Sequence, residues 1–340
     1  MHILVTGGAG FIGSNLCAML ASRGHLVTAI DAFRPQEHSG AHTAATLRYR
    51  NTKLLDGINV IHADMADKAQ LHAILAAAKP DCVVHLAGQA IVSVAERDPE
   101  AANADILQTT INLFETVRDI PGCRRVVHIS SSMVYGNYAG ASVDETAPTA
   151  PISVYGGLKL ATEAVARTYL ANTGVESVIV RPTAVYGPGE VSRRVVQTFC
   201  ENAIAGAPVV INGSTHELLD FTYVADLCDG LLRAATVPAA AGETFNITGG
   251  QSRSLGDLVA CIRAHFPALD ASVTDRRDHF RPQRGGLDIG KAKRLLGYAP
   301  AATLETGIAR YLAHLRGRQT LPDSALPDSA LAEITLQTAR

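Results

Sequence analysis

Roughly the first 180 residues repeat one theme, a short apolar run followed by a stretch of helical periodicity, and no other feature constrains the fold as much. The runs are HILVT, HLVTAID, INVIHAD, DCVVHLAG, RRVVHIS and ESVIVRP. Patterns such as FIGSNLCAMLASRG, DKAQLHAILAAAK and ADILQTTINLFETVRD separate most of them. Strands that alternate with helices build a parallel sheet wound on both faces. The runs are apolar almost throughout, as strands covered on both faces must be. One polar stretch, residues 33–43, breaks the rhythm and reads as a loop.

After Pro182 the pattern changes. Short segments (APVVING, DFTYV, ETFNI, GGLDI) are spaced by helical patterns at 193–205, 224–235, 255–265 and 304–315. The expected organisation is a sheet domain over 1–182, a smaller α+β region over 183–316, and a tail over 317–340 that contains LPDSA twice and reads as unstructured.

Between the first apolar run and the first helical pattern stands VTGGAGFIGS, in which residues 8–13 fit G-x-G-x-x-G and residues 7–13 fit G-x-x-G-x-x-G. Glycines permit the tight turn and a close backbone approach, while the N–H groups and dipole of the following helix face a pyrophosphate. The second run ends in Asp31, where an acid bonds the adenosine ribose and repels a 2′-phosphate. A Rossmann-type α/β fold binding NAD is expected. Arg34, close by, points the other way, toward NADP.

Composition removes several alternatives. Thirty basic against 32 acidic residues give a formal net charge of −2, whereas nucleic-acid and membrane-surface partners select a basic surplus. Cys17, Cys82, Cys123, Cys200, Cys228 and Cys261 show no C-x-x-C pair or metal-ligand spacing, so reduced thiols and no metal are expected. No stretch approaches the roughly 20 apolar residues of a membrane span. The N-terminus enters a strand-like run directly, and a soluble cytoplasmic protein is expected.

YGGLK, residues 155–159, opens a later helical pattern. Positions four apart share a helix face, so Lys159 can lie beside the Tyr155 hydroxyl. A free tyrosine, with a pKa of about 10, is a poor base, and a neighbouring cation lowers that value. Tyr-x-x-x-Lys alone also occurs on many ordinary helices. Here TGGAGFIG, HLAG, SSSMVYG, YGGLK and RPTAVYGPG follow one another in order. With these motifs the chain resembles the extended short-chain dehydrogenase/reductase family over about residues 1–316, and within it the NAD-dependent nucleotide-sugar epimerase and dehydratase branch, UDP-galactose 4-epimerases included.

The resemblance implies roles for particular residues. Tyr155 is the expected general base toward a sugar hydroxyl, with Lys159 holding the nicotinamide ribose and lowering the phenol pKa, and Ser131 bonding the same substrate oxygen. Cofactor contacts are expected at Gly7, Gly10, Phe11, Ile12, Gly13, Asp31, Asp64, Met65, Leu86, Ala87, Gly88, Ser130, Tyr155 and Lys159. Substrate contacts are expected at Ser131, Ser132, Thr183, Ala184, Arg193, Arg281 and Arg284, with Arg194, Arg276 and Arg277 as further candidates for the diphosphate. Helices at 99–118 and 152–174 pair between subunits in relatives, so a homodimer is expected.

Dehydratase and decarboxylase relatives carry an acid after the catalytic hydroxyl, where this chain has Ser132 and Met133. A thioether neither donates nor accepts a proton, so oxidation and re-reduction at one sugar carbon is the expected chemistry. Hydride leaves, the keto sugar turns over, and hydride returns to the opposite face. Carbon 4 leads. A 2-epimerase of CDP-deoxysugars and an NAD(P)H-dependent keto-sugar reductase remain as alternatives, ahead of a dehydratase or a non-catalytic nucleotide sensor. Departures from the family pattern (Asp105, Leu158, Ala184 and Leu219) leave the redox residues in place and bear on the substrate.

Overall fold

The computed structural model describes residues 1–34, 43–138, 140–171 and 173–319. The LPDSA tail and most of the expected loop, residues 35–42, lie outside the described residues. All six apolar runs form strands: β1 (His2–Thr6), β2 (Leu26–Asp31), β3 (Asn59–His62), β4 (Cys82–His85), β5 (Arg125–Ile129) and β6 (Glu176–Arg181). A seventh, β7 (Thr244–Asn246), comes from the far side of Pro182 and pairs with β6. The sheet order is β7-β6-β5-β4-β1-β2-β3 and every pairing is parallel. The expected doubly wound α/β sheet is therefore present.

Alternation along each strand sends neighbouring residues to opposite faces. Ile3 and Val5 of β1 meet helix α1 (Phe11–Ser22) through Leu16, Cys17 and Leu20. On the same face lies the helix Val224–Thr236, through Leu227, Cys228 and Leu231. Leu4 faces the other way, into a core with Leu71, Leu75, Leu113, Phe114 and Val117. Both faces are covered, which is why the runs lack polar alternation. Elements from both sides of Pro182 thus share one layer.

A second core gathers Phe199, Cys200, Leu258, Ile262, Ile308, Tyr311 and Leu312. It joins the helices Val195–Ile204, Leu255–Arg263 and Leu304–Gln319, close to the spans expected from periodicity. Two local forms were not expected. Residues Ala104–Gln108 make a π turn before the helix Thr109–Val117, and Arg50–Leu54 make another. π turns mark an inserted residue and often stand at functional sites.

The chain runs outward from β1 to β3 and then returns to the other side of β1 as β4. Ligands of such sheets bind at this switch point, beyond the strand C-termini. The glycine turn and the residues Leu86–Gly88 meet there.

Candidate active site

The glycine turn is built by close backbone approach. Gly7 has φ +67°, and a Cβ on it would stand 2.8 Å from Ala87 N. A Cβ on Gly13 would lie 2.1 Å from the Gly7 carbonyl oxygen, so any side chain there pushes α1 off the turn. Gly10 caps α1 with no side-chain acceptor, which leaves the first-turn N–H groups to an anion. Asp31 is aimed by the backbone: its Oδ2 accepts from Ala9 N at 2.9 Å and its Oδ1 from Phe33 N at 2.8 Å. Thr6 Oγ1 bonds His85 Nδ1 at 2.7 Å and accepts from Ala87 N at 3.3 Å, stitching β1 to the β4 turn. Met65 is buried beneath the Asp64 turn, and Phe11, Ile12, Leu86 and Ala87 are half-buried around the groove. This cradle fits a dinucleotide: tight glycines, an uncapped helix end and a carboxylate at the ribose position.

The catalytic turn follows β5. Ser131 caps the single turn Ser132–Tyr135, accepting from Met133 N at 3.2 Å. The facing helix Val154–Leu170 is capped by Ser153, whose side chain accepts from Gly156 N at 3.0 Å. A Cβ on Gly156 would come within 2.7 Å of the Met133 carbonyl oxygen, so glycine beside Tyr155 lets the helix close onto the serine turn. Tyr155, Ser131 and Lys159 are all buried, and the Ser131 hydroxyl is near enough to the phenol to lower its pKa. The sequence therefore places the expected trio together.

Their electrostatics differ from expectation in one respect. Lys159 Nζ donates to the Ile129 carbonyl at 3.0 Å, and burial lowers its pKa to about 8 against the opposing pull of Glu163. Burial pushes the Tyr155 phenol up, and the effects that oppose it are the Arg194 guanidinium and the Ser131 hydroxyl. Arg194 is thus a second cation, beyond the expected Lys159, placed to favour the phenolate. Arg194 donates to the Ala90 carbonyl at 2.7 Å, reaching across the β4 turn, whereas Arg193 is exposed, with φ +50°.

Ser130, expected at the cofactor, is turned inward. Its hydroxyl donates to Glu163 Oε1 at 2.6 Å, and Arg181 grips the same carboxylate at 2.8 and 2.7 Å. Arg181 also donates to the Tyr135 hydroxyl at 2.9 Å, which donates to Asn246 Oδ1 at 2.8 Å. This buried chain fixes the serine turn to the catalytic helix, β6 and β7. Sequence reasoning passed over Glu163, although it stands four residues after Lys159 on the same helix face. Breaking such a buried pair costs about 3–5 kcal/mol.

On the far side, Asn15 donates to the Pro188 carbonyl at 2.9 Å and Arg50 to the Gly189 carbonyl at 2.7 Å and the Ala9 carbonyl at 3.2 Å. Nothing in the spacing of the sequence singles out Arg50. These bonds dock the 188–190 turn onto the glycine turn, next to buried Thr183 and to Ala184 at φ +41°. Glu190 is fully buried there, and burial raises its carboxyl to about 7 despite nearby Arg194, the Ser192 hydroxyl and Arg50.

The expected diphosphate arginines separate. Arg277 and Arg281 both pair with Glu217, at 2.8 and 3.3 Å. Arg284 extends toward Met133, its Nη1 lying 4.0 Å from Sδ, and burial pulls its guanidinium below the usual pKa. Three residues further on, Leu287 N donates to buried Asp220 at 3.2 Å. Arg34, the residue that pointed toward NADP, pairs with Asp64 at 2.7 Å and with Asp105.

The model of the family described as "NAD dependent epimerase/dehydratase family" matches residues 3–248. The chain belongs to this family. It is an NAD-dependent enzyme of the epimerase/dehydratase family. Similar curated relatives span both halves of that name. A UDP-glucose 4-epimerase of Mycolicibacterium smegmatis is 32% identical, over 94% of this chain and 99% of its own. A dTDP-glucose 4,6-dehydratase of Xanthomonas campestris pv. campestris is 31% identical, over 90% of each. Among solved structures, the UDP-glucuronic acid 4-epimerase of Bacillus cereus in complex with UDP-glucuronic acid and NAD superposes with a TM-score of 0.84. It is 28% identical and the match covers 93% of this chain and 99% of that one. Among the described residues no group of His, Cys, Asp and Glu side chains could hold a metal, and no helix is long and apolar enough to cross a membrane.

Proposed function

We propose that the enzyme epimerises a nucleotide-diphosphate sugar at carbon 4 through a transient keto sugar. The observation that carries this reading is Met133. It packs with Tyr155, Ala95, Ala102 and Ile106 in one buried apolar cluster, in the position where dehydrating relatives carry a proton-transferring acid. An apolar wall beside the phenol suits chemistry confined to one carbon.

NAD, when bound, would supply a reversible acceptor for the hydride of the sugar carbon. The glycine turn, Asp31, Asp64, Met65, Leu86–Gly88 and Lys159 would hold it. Tyr155 takes the proton of the sugar hydroxyl at its phenol oxygen and returns it after the sugar has turned. Arg194, the cation beside the phenol, favours its ionised form. Ser131 is poised to donate to the same sugar oxygen, because its own oxygen already accepts from Met133 N. Ser132, Thr183 and Ala184 line the sugar, and Arg284 takes the diphosphate, the one group of that arginine cluster turned toward Met133 without a carboxylate partner among the described residues. The reading includes a cytoplasmic homodimer that pairs through the helices around 99–118 and 152–174.

The test is a panel of UDP-, GDP-, CDP- and dTDP-sugars, with products resolved by NMR. A C4 epimer from one nucleotide series is expected. A 4-keto-6-deoxy product would establish the dehydratase half of the family instead, inversion at carbon 2 the CDP-deoxysugar alternative, and stoichiometric consumption of NAD(P)H the reductase.

A further inference from the structure

The Asp31–Arg34 turn has an unusual form. Phe33 takes φ +50°, a conformation that bulky side chains rarely adopt. Its N–H bonds Asp31 at 2.8 Å and its ring meets His62 edge-on at 5.7 Å, so the turn is folded back over the end of β3. This carries Arg34 across the adenosine end of the groove. There Nη2 donates to Asp64 Oδ2 at 2.7 Å and Nη1 to Asp105. Asp64 is braced by Ala66 N at 2.9 Å. Asp105 is presented by the π turn Ala104–Gln108, whose backbone lies against Gly88: a Cβ there would stand 3.1 Å from the Asp105 carbonyl oxygen.

We infer that Asp64 and Asp105 set the preference for NAD over NADP by tethering Arg34 away from the position of a 2′-phosphate. An arginine next to the ribose acid is the group that accommodates such a phosphate, and here both of its forks are committed to carboxylates. Asp64 and Asp105 hold the guanidinium and Asp31 stands three residues before it, so the rim is acidic and repels a dianion. The pairing raises the Arg34 pKa, Asp64 contributing more than Asp105. The inference holds whatever sugar the enzyme takes.

The test measures bound dinucleotide. Full-length protein is equilibrated with equal concentrations of NAD and NADP, separated from free nucleotide, and its bound fraction quantified by chromatography. Asp105→Asn keeps the shape and removes one tether. The bound NADP:NAD ratio should rise on the order of tenfold, as one freed charge-assisted bond to phosphate allows, and the double variant Asp105→Asn/Arg34→Ala should lose that gain. An unchanged ratio in Asp105→Asn, with its melting temperature preserved, overturns the inference. So does a gain that survives without Arg34, since Asp105 would then act by its own charge alone. Should Asp105→Asn fold poorly, Asp105→Ala in the same competition carries the same two outcomes.

Discussion

The dinucleotide end of the site and its sugar end are held by different kinds of group. At the dinucleotide end the cradle itself is set by backbone atoms: the Gly7 and Gly13 turn, the Ala9 and Phe33 N–H groups that aim Asp31, and the Ala87 N–H that stitches its turn to Thr6. At the sugar end they are long side chains from distant segments, Arg194 reaching Ala90 and Arg284 reaching Met133. Between the two stand Tyr155, Ser131 and Lys159, fixed by the Ser130–Glu163–Arg181 chain. A backbone cradle serves a cofactor common to a whole family. Side chains that arrive from afar can be exchanged without disturbing it, and the proposed function has the substrate chosen there.

Four substitutions break or sharpen this contrast. Tyr155→Phe removes the proton acceptor at the junction and touches neither end. Its kcat should fall by about 10²–10⁴-fold, with bound NAD and melting temperature unchanged; loss of NAD as well would place the tyrosine at the cofactor end. Gly13→Ala attacks the backbone end, because its Cβ would sit 2.1 Å from the Gly7 oxygen. Destabilisation of about 1–3 kcal/mol in urea titrations is expected, together with loss of copurifying NAD. Arg284→Ala attacks the side-chain end. It should raise KM for the nucleotide sugar about tenfold or more while NAD content stays at the wild-type level; a fall in NAD content would erase the distinction between the ends.

The smallest effect concerns Glu190 and pH. Burial raises its folded pKa from 4.5 to about 7, so the fold favours the protonated acid. The stability this contributes is fully present below about pH 4.5 and is lost as pH rises through about 7. Glu190→Gln should therefore stabilise the protein at pH 8, by about 1–3 kcal/mol, and change little near pH 4.5. Equal stabilisation at both pH values would mean that the carboxyl does not titrate as its burial dictates.

Legibility in the sequence follows the same contrast. The six apolar runs and the glycine turn were readable because short-range rules govern them: both-face burial removes alternation, and a tight turn needs glycine. Tyr155 and Lys159 were readable because four residues bring a helix back to the same face. β7 was harder, since ETFNI looks like the other short segments beyond Pro182 and only the sheet edge reveals its partner. The inward turn of Ser130 depends on Glu163 and Arg181, 33 and 51 residues further along. Arg194 as the cation beside Tyr155, and Arg50 as the link to the 188–190 turn, depend on how the second region folds back. No local pattern encodes those meetings. The π turn that presents Asp105 is likewise invisible to a 3.6-residue period, because it consists of one residue too many.

The most direct test of reversible oxidation at a single carbon uses a nucleotide sugar deuterated at carbon 4, incubated with the enzyme in ordinary water. The epimerised sugar should keep its deuterium at that carbon, because the hydride that leaves is the one that returns. Loss of the label to solvent, or its migration to carbon 6 of a deoxy product, would contradict it.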